Sequence, residues 1–377
     1  MNHDSMNTIL YTSKVLQSTI MNNPYKHLLK IRNGMFILFI ILSIGFIISP
    51  GISEPLTPPE NTTDPSLPFY FIAVHNEPYH GTFQQEQKLK AAYAVLKEMV
   101  NKADTYGISL TLMFTPQWGK MIGSDPEKLS EVKSWEQNGH EIALHHHSIY
   151  HGGWDGYTDY SPEEARLERL KHTKNPEPYL GTLDDMMDAL APLNPNISSG
   201  CANDEQDKTV LPSTIRYDTC SGFLNTGDPG IRSDRQSQGK GVNDYIIVGT
   251  VNGTEHRWLS HRIIGTMEPE REAEQEMANS NVNSVFGAIT HSTSEQVKAT
   301  YKFFEYIHAR DTTGSRSRTV SEIMEEGILP EKTLSDDIIN ARYSYERVTS
   351  DSVKEGLPLT ETPREEKQFS LQKPRKP

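Results

Sequence analysis

Between Pro68 and Ile328, short runs of consecutive apolar residues alternate with stretches whose apolar positions recur every three or four residues. That alternation restricts the fold more than any other feature of the chain. Phe69–Val74 (FYFIAV) reads as a buried strand, and Leu89, Ala92, Tyr93, Leu96, Met99 and Val100 then fall on one face of a helix. Ile108–Phe114 reads as a second strand, Leu129, Val132 and Trp135 mark a second helix, and His140–His145 (HEIALH) reads as a third strand. Ser161 and Glu164 form a capping box around Pro162 at the first helical position, the clearest local helix start in the chain. Further strands are expected over Asn196–Cys201, Thr214–Tyr217, Tyr245–Val251 and Ser284–His291, the last followed by a helix over Ser294–Arg310. Strands that each lead into a helix need crossover connections. The expectation is therefore an α/β fold around a parallel sheet, either a barrel or a doubly wound sheet, with no internal repeat visible.

The flanks read differently. Met35–Ile48 is a wholly apolar run apart from Ser43 and Gly45, preceded by Lys26, Lys30 and Arg32 and followed by a Pro-rich polar stretch. Its length falls between a signal-peptide core of about 7–15 residues and a spanning helix of about 20. The expected organisation is a cytoplasmic leader over 1–34, a signal anchor or cleaved signal peptide over 35–50, and a linker over 51–67. The main domain then covers 68–328 and a charged, disordered tail covers 329–377. Basic residues ahead of the apolar run place the main domain outside the cytoplasm, anchored to the membrane or secreted after cleavage. The net charge of -13 argues against a nucleic-acid partner, which needs a basic face. Only two cysteines occur, Cys201 and Cys220; a disulfide, two buried free thiols and a ligand or nucleophile role all remain open.

In parallel α/β folds chemistry gathers at the C-terminal ends of strands. Three such ends carry ligand-type residues. His75, Asn76 and Glu77 follow the first strand, a cluster of five histidines between His140 and His151 ends the third, and His291 ends the late one. Zinc or a similar divalent ion takes imidazole nitrogen and carboxylate oxygen, and a catalytic site uses three protein ligands and leaves one position open. His145 and His147 share a face of an extended strand, whereas His140 and His146 point the other way. His147 and His151 have the spacing that converges if the segment coils. The metal set is thus drawn from Glu77, His145, His147 and His151. Trp154 and Tyr157, just beyond, offer flat faces for a sugar ring or simply anchor a loop.

At these residues the chain resembles the polysaccharide deacetylases, metal-dependent carbohydrate esterases with a distorted (β/α) barrel, over about Pro68 to Ile328. GHEIALH (Gly139–His145) is similar to a family signature whose last His binds the metal. HSIYH (His147–His151) is similar to a following His-Ser/Thr-x-x-His motif, set two residues late, which makes His151 the favoured second ligand and leaves His147 and His145 competing for the first. The resemblance places Glu77 at a metal-ligand position and Asn76 at the position of the general base. Asn cannot take a proton, so Asp155, His75 or Glu77 would have to assist. His291 matches the general acid, and the family's Arg-Pro-Pro-Tyr-Gly motif has no convincing counterpart.

The implied function is hydrolysis of an N- or O-acetyl group on an extracytoplasmic glycan by activated water, with His291 protonating the leaving group. Two other readings stay open: a lapsed enzyme that binds carbohydrate or metal without turnover, and a metal hydrolase acting on another bond.

Overall fold

The structure is a computed structural model that describes residues 63–79, 83–149, 151, 153–202, 212–220, 241–265, 270–293 and 296–337. All lie within one compact unit, Asn61–Pro377. Among the described residues no helix is long and apolar enough to cross a membrane; Met35–Ile48 and the end of the chain beyond 337 lie outside them.

The elements in chain order are β1 (Phe69–Asn76), α1 (Phe83–Thr105), β2 (Leu110–Phe114), α2 (Pro116–Gly123), α3 (Pro126–Gln137) and β3 (Glu141–His146). Then follow α4 (Pro162–Leu170), α5 (Leu183–Leu190), β4 (Ser199–Ala202), β5 (Tyr217–Asp218), β6 (Val242–Asn243), β7 (Ile246–Val251) and β8 (Thr254–Trp258). The last are β9 (Arg262–Ile263), α6 (Glu270–Ala278), β10 (Val285–His291), α7 (Val297–His308), α8 (Val320–Glu325) and β11 (Glu331–Thr333).

Strands β10, β1, β2, β3, β4, β5 and β8 are neighbours in that order, and every pairing among them is parallel. On the far side of β8 lies β7, antiparallel, and then β11. Asn252 and Gly253 turn the β7–β8 hairpin, both with positive φ (48° and 78°), which suits an Asn-Gly turn between right-twisted strands. The other edge of β10 carries β6 and β9. Since β8 and β9 belong to one segment, Thr254–Ile263, that segment pairs with β5 at Arg257 and Trp258 and with β10 at Arg262 and Ile263. The sheet therefore curls back on itself in a mixed α/β arrangement compatible with a distorted barrel.

The pleat sorts the core into two layers. Phe71, Ala73, Met113, Ala143, Val285 and Ile289 share an inner cluster. Tyr70, Ile72, Val74, Leu112, Leu144 and Phe286 face the other way and pack with Leu96, Met99 and Val100 of α1 and Phe303, Phe304 and Ile307 of α7. Strands covered on both faces have no solvent side, which is why their sequences are continuous apolar runs rather than alternating ones.

The residues after β8 are held against β10 by Asn243, which is buried. Its amide nitrogen donates to Ser260 O (3.0 Å) and Val285 O (3.3 Å), and its oxygen accepts from Ser260 N at 2.8 Å. Gly287 of β10 makes the close approach possible, because a Cβ there would lie 2.4 Å from both Phe71 Cζ and Ser260 O.

Several elements escape the periodicity. Helix α2 is eight residues long and has Gly119 packed against the Ala189 carbonyl of α5. Strands β5, β6 and β9 contribute two residues each, too few to show a period. Described residues on either side of 68 and 328 also pack on the sheet or extend it. Leu67 is buried and Thr63 bridges to Asp311, while β11 adds to the sheet at Glu331–Thr333. Gly287→Ala is expected to destabilise the fold by about 1–3 kcal/mol through overpacking at the seam, measured as a lowered midpoint of thermal or denaturant unfolding.

Candidate functional site

Parallel pairing brings the C-terminal ends of β1, β3 and β10 to one rim, with His75 of β1 opposite His291 of β10. The inner face of β1 runs Phe71, Ala73, His75 and then Glu77; that of β3 runs Ala143, His145 and then His147. Apolar layers thus give way to ligand-type residues at the rim. Trp118 of α2, fully buried, donates its indole N–H to Glu77 O at 2.9 Å and fixes the turn that leaves β1.

Glu77 sits between three imidazoles. Its Oε1 lies 3.1 Å from His291 Nε2 and 3.5 Å from His145 Nε2, and its Oε2 lies 3.1 Å from His147 Nε2. The Nε2 atoms of His145 and His147 are 3.0 Å apart. Donors on one tetrahedral zinc, each about 2.0–2.1 Å from it, stand about 3.3 Å from one another, so the group needs little adjustment to share an ion. The tautomer is also prepared. His147 Nδ1 lies 2.9 Å from Gly153 O, and a carbonyl only accepts, so the proton is on Nδ1 and the Nε2 lone pair faces Glu77. The residues present therefore fit a divalent ion. Their side chains are 30% exposed for Glu77, 18% for His291, 5% for His147 and 0% for His145, so solvent reaches the group from the Glu77–His291 side.

Burial pushes the Glu77 carboxyl upward, but His147, His145 and His291 together outweigh it and hold the group well below the usual carboxylate range. Burial drives His147 down to about 4 and His75, crowded also by His145, His291 and His261, well below the ordinary histidine range. Both are neutral at pH 7, the form that binds metal. His291 goes the other way. Burial alone would lower it, yet Glu77 on one side and Gln296 on the other raise it above its ordinary value. Its Nδ1 lies 2.8 Å from Gln296 Oε1 and its Nε2 faces Glu77. Both ring nitrogens thus meet acceptors, which suits an imidazolium.

Among the described residues, donor atoms converge in three groups, each within 4.8 Å: Glu77–His145–His147, His75–Glu77–His291 and His75–Cys201–Cys220. The cysteines are joined in a disulfide. His151 belongs to none of these groups; its ring packs on His147 at 4.0 Å and its Nδ1 accepts from Gly153 N. It is thus placed outside the converging donors.

Asp155 is fully buried. It accepts from His147 N (3.2 Å) and Tyr157 N (3.0 Å) and lies 2.8 Å from His146 Nδ1, so it braces the loop from outside the donor group. Asn76 is likewise locked. Its amide donates to Met113 O and Val74 O, and its oxygen accepts from Ser292 Oγ at 2.8 Å. Trp154 and Tyr157 are 1% and 0% exposed, with Trp154 packed among Ile149, Tyr160 and Ala165. Neither shows a ring face to a sugar; they anchor the loop. Arg169 of α4 adds to this, donating to Ile149 O and His151 O while paired with Glu177. His140 is bonded to Asp104 and accepts from Leu110 N, away from the site.

Two participants were not read from the sequence. His261, which meets His75 edge-on at 5.6 Å, follows the strand β8 that was not expected. Gln296, the partner of His291, lies five residues beyond it in a helix cap with no motif of its own.

No known family's profile matches the chain, and no curated protein matches it in sequence. Among solved structures, a 4-alpha-glucanotransferase of Thermococcus litoralis aligns over 72% of this chain at 12% identity, with a TM-score of 0.46. This chain spans 42% of that protein's length. A Mycobacterium smegmatis protein classed provisionally as a polysaccharide deacetylase aligns over 77% of this chain and 99% of its own, at 12% identity and a TM-score of 0.40. These are likenesses of backbone alone, and no residue role follows from either.

Glu77→Gln and His147→Ala are each expected to weaken zinc binding by at least about 100-fold, whereas His151→Ala leaves the stoichiometry unchanged. Titration with elemental analysis checks both. Asp155→Ala is expected to cost about 3 kcal/mol of stability, since it strands buried donors; the unfolding midpoint reads it.

Proposed function

We propose that this protein is a metal-dependent hydrolase that removes acetyl or related acyl groups from a glycan. The observation that carries the reading is the convergence of Glu77, His145 and His147 at one rim of the sheet, with His291 beside them. Glu77 Oε2, His145 Nε2 and His147 Nε2 would hold a divalent ion, zinc by its preference for imidazole and carboxylate. When bound, such an ion polarises an acyl carbonyl and acidifies water, so that a separate carboxylate base is not indispensable.

The remaining work falls to the chain's own groups. His291 carries a proton at Nε2 on the solvent-facing side and delivers it to the leaving amine or alcohol. Gln296 Oε1 holds the ring by Nδ1, so the proton is presented at a set angle. Once Glu77 is engaged elsewhere, the His291 Nε2–H is released toward the substrate. Asp155 and the Gly153 carbonyl keep His147 oriented without touching the reacting atoms. The extracytoplasmic setting is part of the proposal; Met35–Ile48 and the Cys201–Cys220 bridge support it.

A second reading, a protein that binds carbohydrate or metal without turnover, is favoured by Asn76 alone. It occupies the base position of the resemblance, and its amide is neither basic nor available. Acetate release from acetylated chito-oligosaccharides by the zinc-loaded protein separates the two. Release in wild type and its loss in His147→Ala supports the hydrolase, and saturable binding without release supports the second. For the hydrolase, kcat falls as pH rises through the titration of His291 in the zinc-loaded protein, because the proton donor is lost on that side. His291→Asn is expected to lower kcat by about 100-fold and to remove that alkaline decline.

A further inference from the structure

One buried group stands apart from this chemistry. His75 is 2% exposed, and its Nε2 has no hydrogen-bond partner. A buried polar nitrogen left without a partner is costly unless another state of the protein uses it. It lies two residues before Glu77 on the same face, about 6.6 Å deeper along the strand, and a nitrogen of its ring lies within 4.8 Å of both Cys201 and Cys220 sulfurs. These two cysteines belong to the inner cluster, 0% and 3% exposed.

We propose that His75, Cys201 and Cys220 form a second metal site, a buried two-thiolate, one-imidazole site for zinc or a similarly soft cation, available when the disulfide is open. The backbone is already set for it. Cys201 lies in β4 opposite His145, and Cys220 is held two residues beyond β5 by its N–H to Asp218 Oδ1 (2.8 Å). Thr219 N bonds to Gly200 O across the same pair of strands. The two Cα atoms are 5.0 Å apart and are kept near one another by this strand pairing as well as by the sulfur bond. Opening the bridge therefore asks for side-chain rotation rather than strand movement.

The chemistry balances. A dithiol reductant gives two electrons and two protons to the disulfide and becomes its own cyclic disulfide, leaving Cys201 and Cys220 as thiols. A divalent cation then displaces those two protons to solvent, and the His75 lone pair completes three ligands with a fourth position open. Two thiolates cancel the charge of the dication, so the occupied site carries no net charge into an apolar interior. Sulfur ligands also separate this site from the Glu77–His145–His147 group, whose oxygen and nitrogen donors suit harder ions. Nothing in the second site requires the deacylase reading of the first.

Cobalt tests it, since Co²⁺ bound by thiolate shows near-ultraviolet charge-transfer absorption that Co²⁺ on imidazole and carboxylate lacks. The full chain, reduced with a dithiol, with its free thiols counted by alkylation and its fold checked by circular dichroism, is titrated beside the oxidised protein. The reduced protein is expected to take up one additional equivalent and to develop the thiolate band, while the oxidised protein does neither. His75→Ala should weaken the band-forming equivalent at least tenfold. His147→Ala should keep the band while losing the other equivalent. A reduced, folded protein with two free thiols and no band overturns the proposal, as does a disulfide that opens only on unfolding. Absence of metal from the oxidised protein, with the band intact after reduction, removes the first site and leaves the second standing.

Discussion

The carboxylate of Glu77 meeting three imidazoles is the interaction on which the rim is organised. Without that carboxylate, His145 and His147 would crowd their Nε2 atoms at 3.0 Å and His291 would stand as a partly buried cation with no counter-charge. One carboxylate offsets all of this, and it does so from a turn pinned by Trp118. The curled sheet matters because it brings the ends of β1, β3 and β10 within reach of that single group. A flat sheet in the same strand order would hold β10 and β3 apart by the widths of β1 and β2, about 14 Å at the usual spacing.

Much of this was legible in the chain. The apolar runs of β1, β2, β3, β7 and β10 were visible because burial on both faces leaves no polar positions to break them. The pleat alone put His145 and His147 together and set His146 opposite, where it meets Asp155. Strands β8 and β9 were not visible, since Thr254–Trp258 mixes charged and apolar residues with one face partly solvated and β9 spans only two residues. Missing them hid His261 and the curl of the sheet. The spacing of His147 and His151 suggested convergence through a helical turn, but the His151 ring packs on His147 without joining its donor group. Trp154 and Tyr157 illustrate a further limit, because an aromatic beside glycine reads the same whether its face is open or packed.

The proposed hydrolase and the proposed thiolate site share a geometric origin. Inner-facing positions on neighbouring strands recur every two residues, so ligand-type side chains fall in layers. His75 sits in the layer beneath Glu77 and stacks on His145 at 4.2 Å. The disulfide lies beside it in the same interior. Polarity therefore penetrates the inner face one layer further than a single rim site needs. The apolar residues Ala73 and Ile289 close it off beneath, and Met113 lies beside His75 in register.

The bond from His147 Nδ1 to the carbonyl of Gly153 has a consequence for how such a site can vary. An orienting partner that is a side chain can be lost by one substitution, but this one belongs to the main chain and survives any change of residue at 153 that keeps the loop's path. The loop's composition is therefore free to drift while the direction of the imidazole is inherited from its length and its anchors. Apart from replacements of the buried anchors Trp154 and Asp155, insertions and deletions between His147 and Asp155 are the changes to which this part of the protein is sensitive.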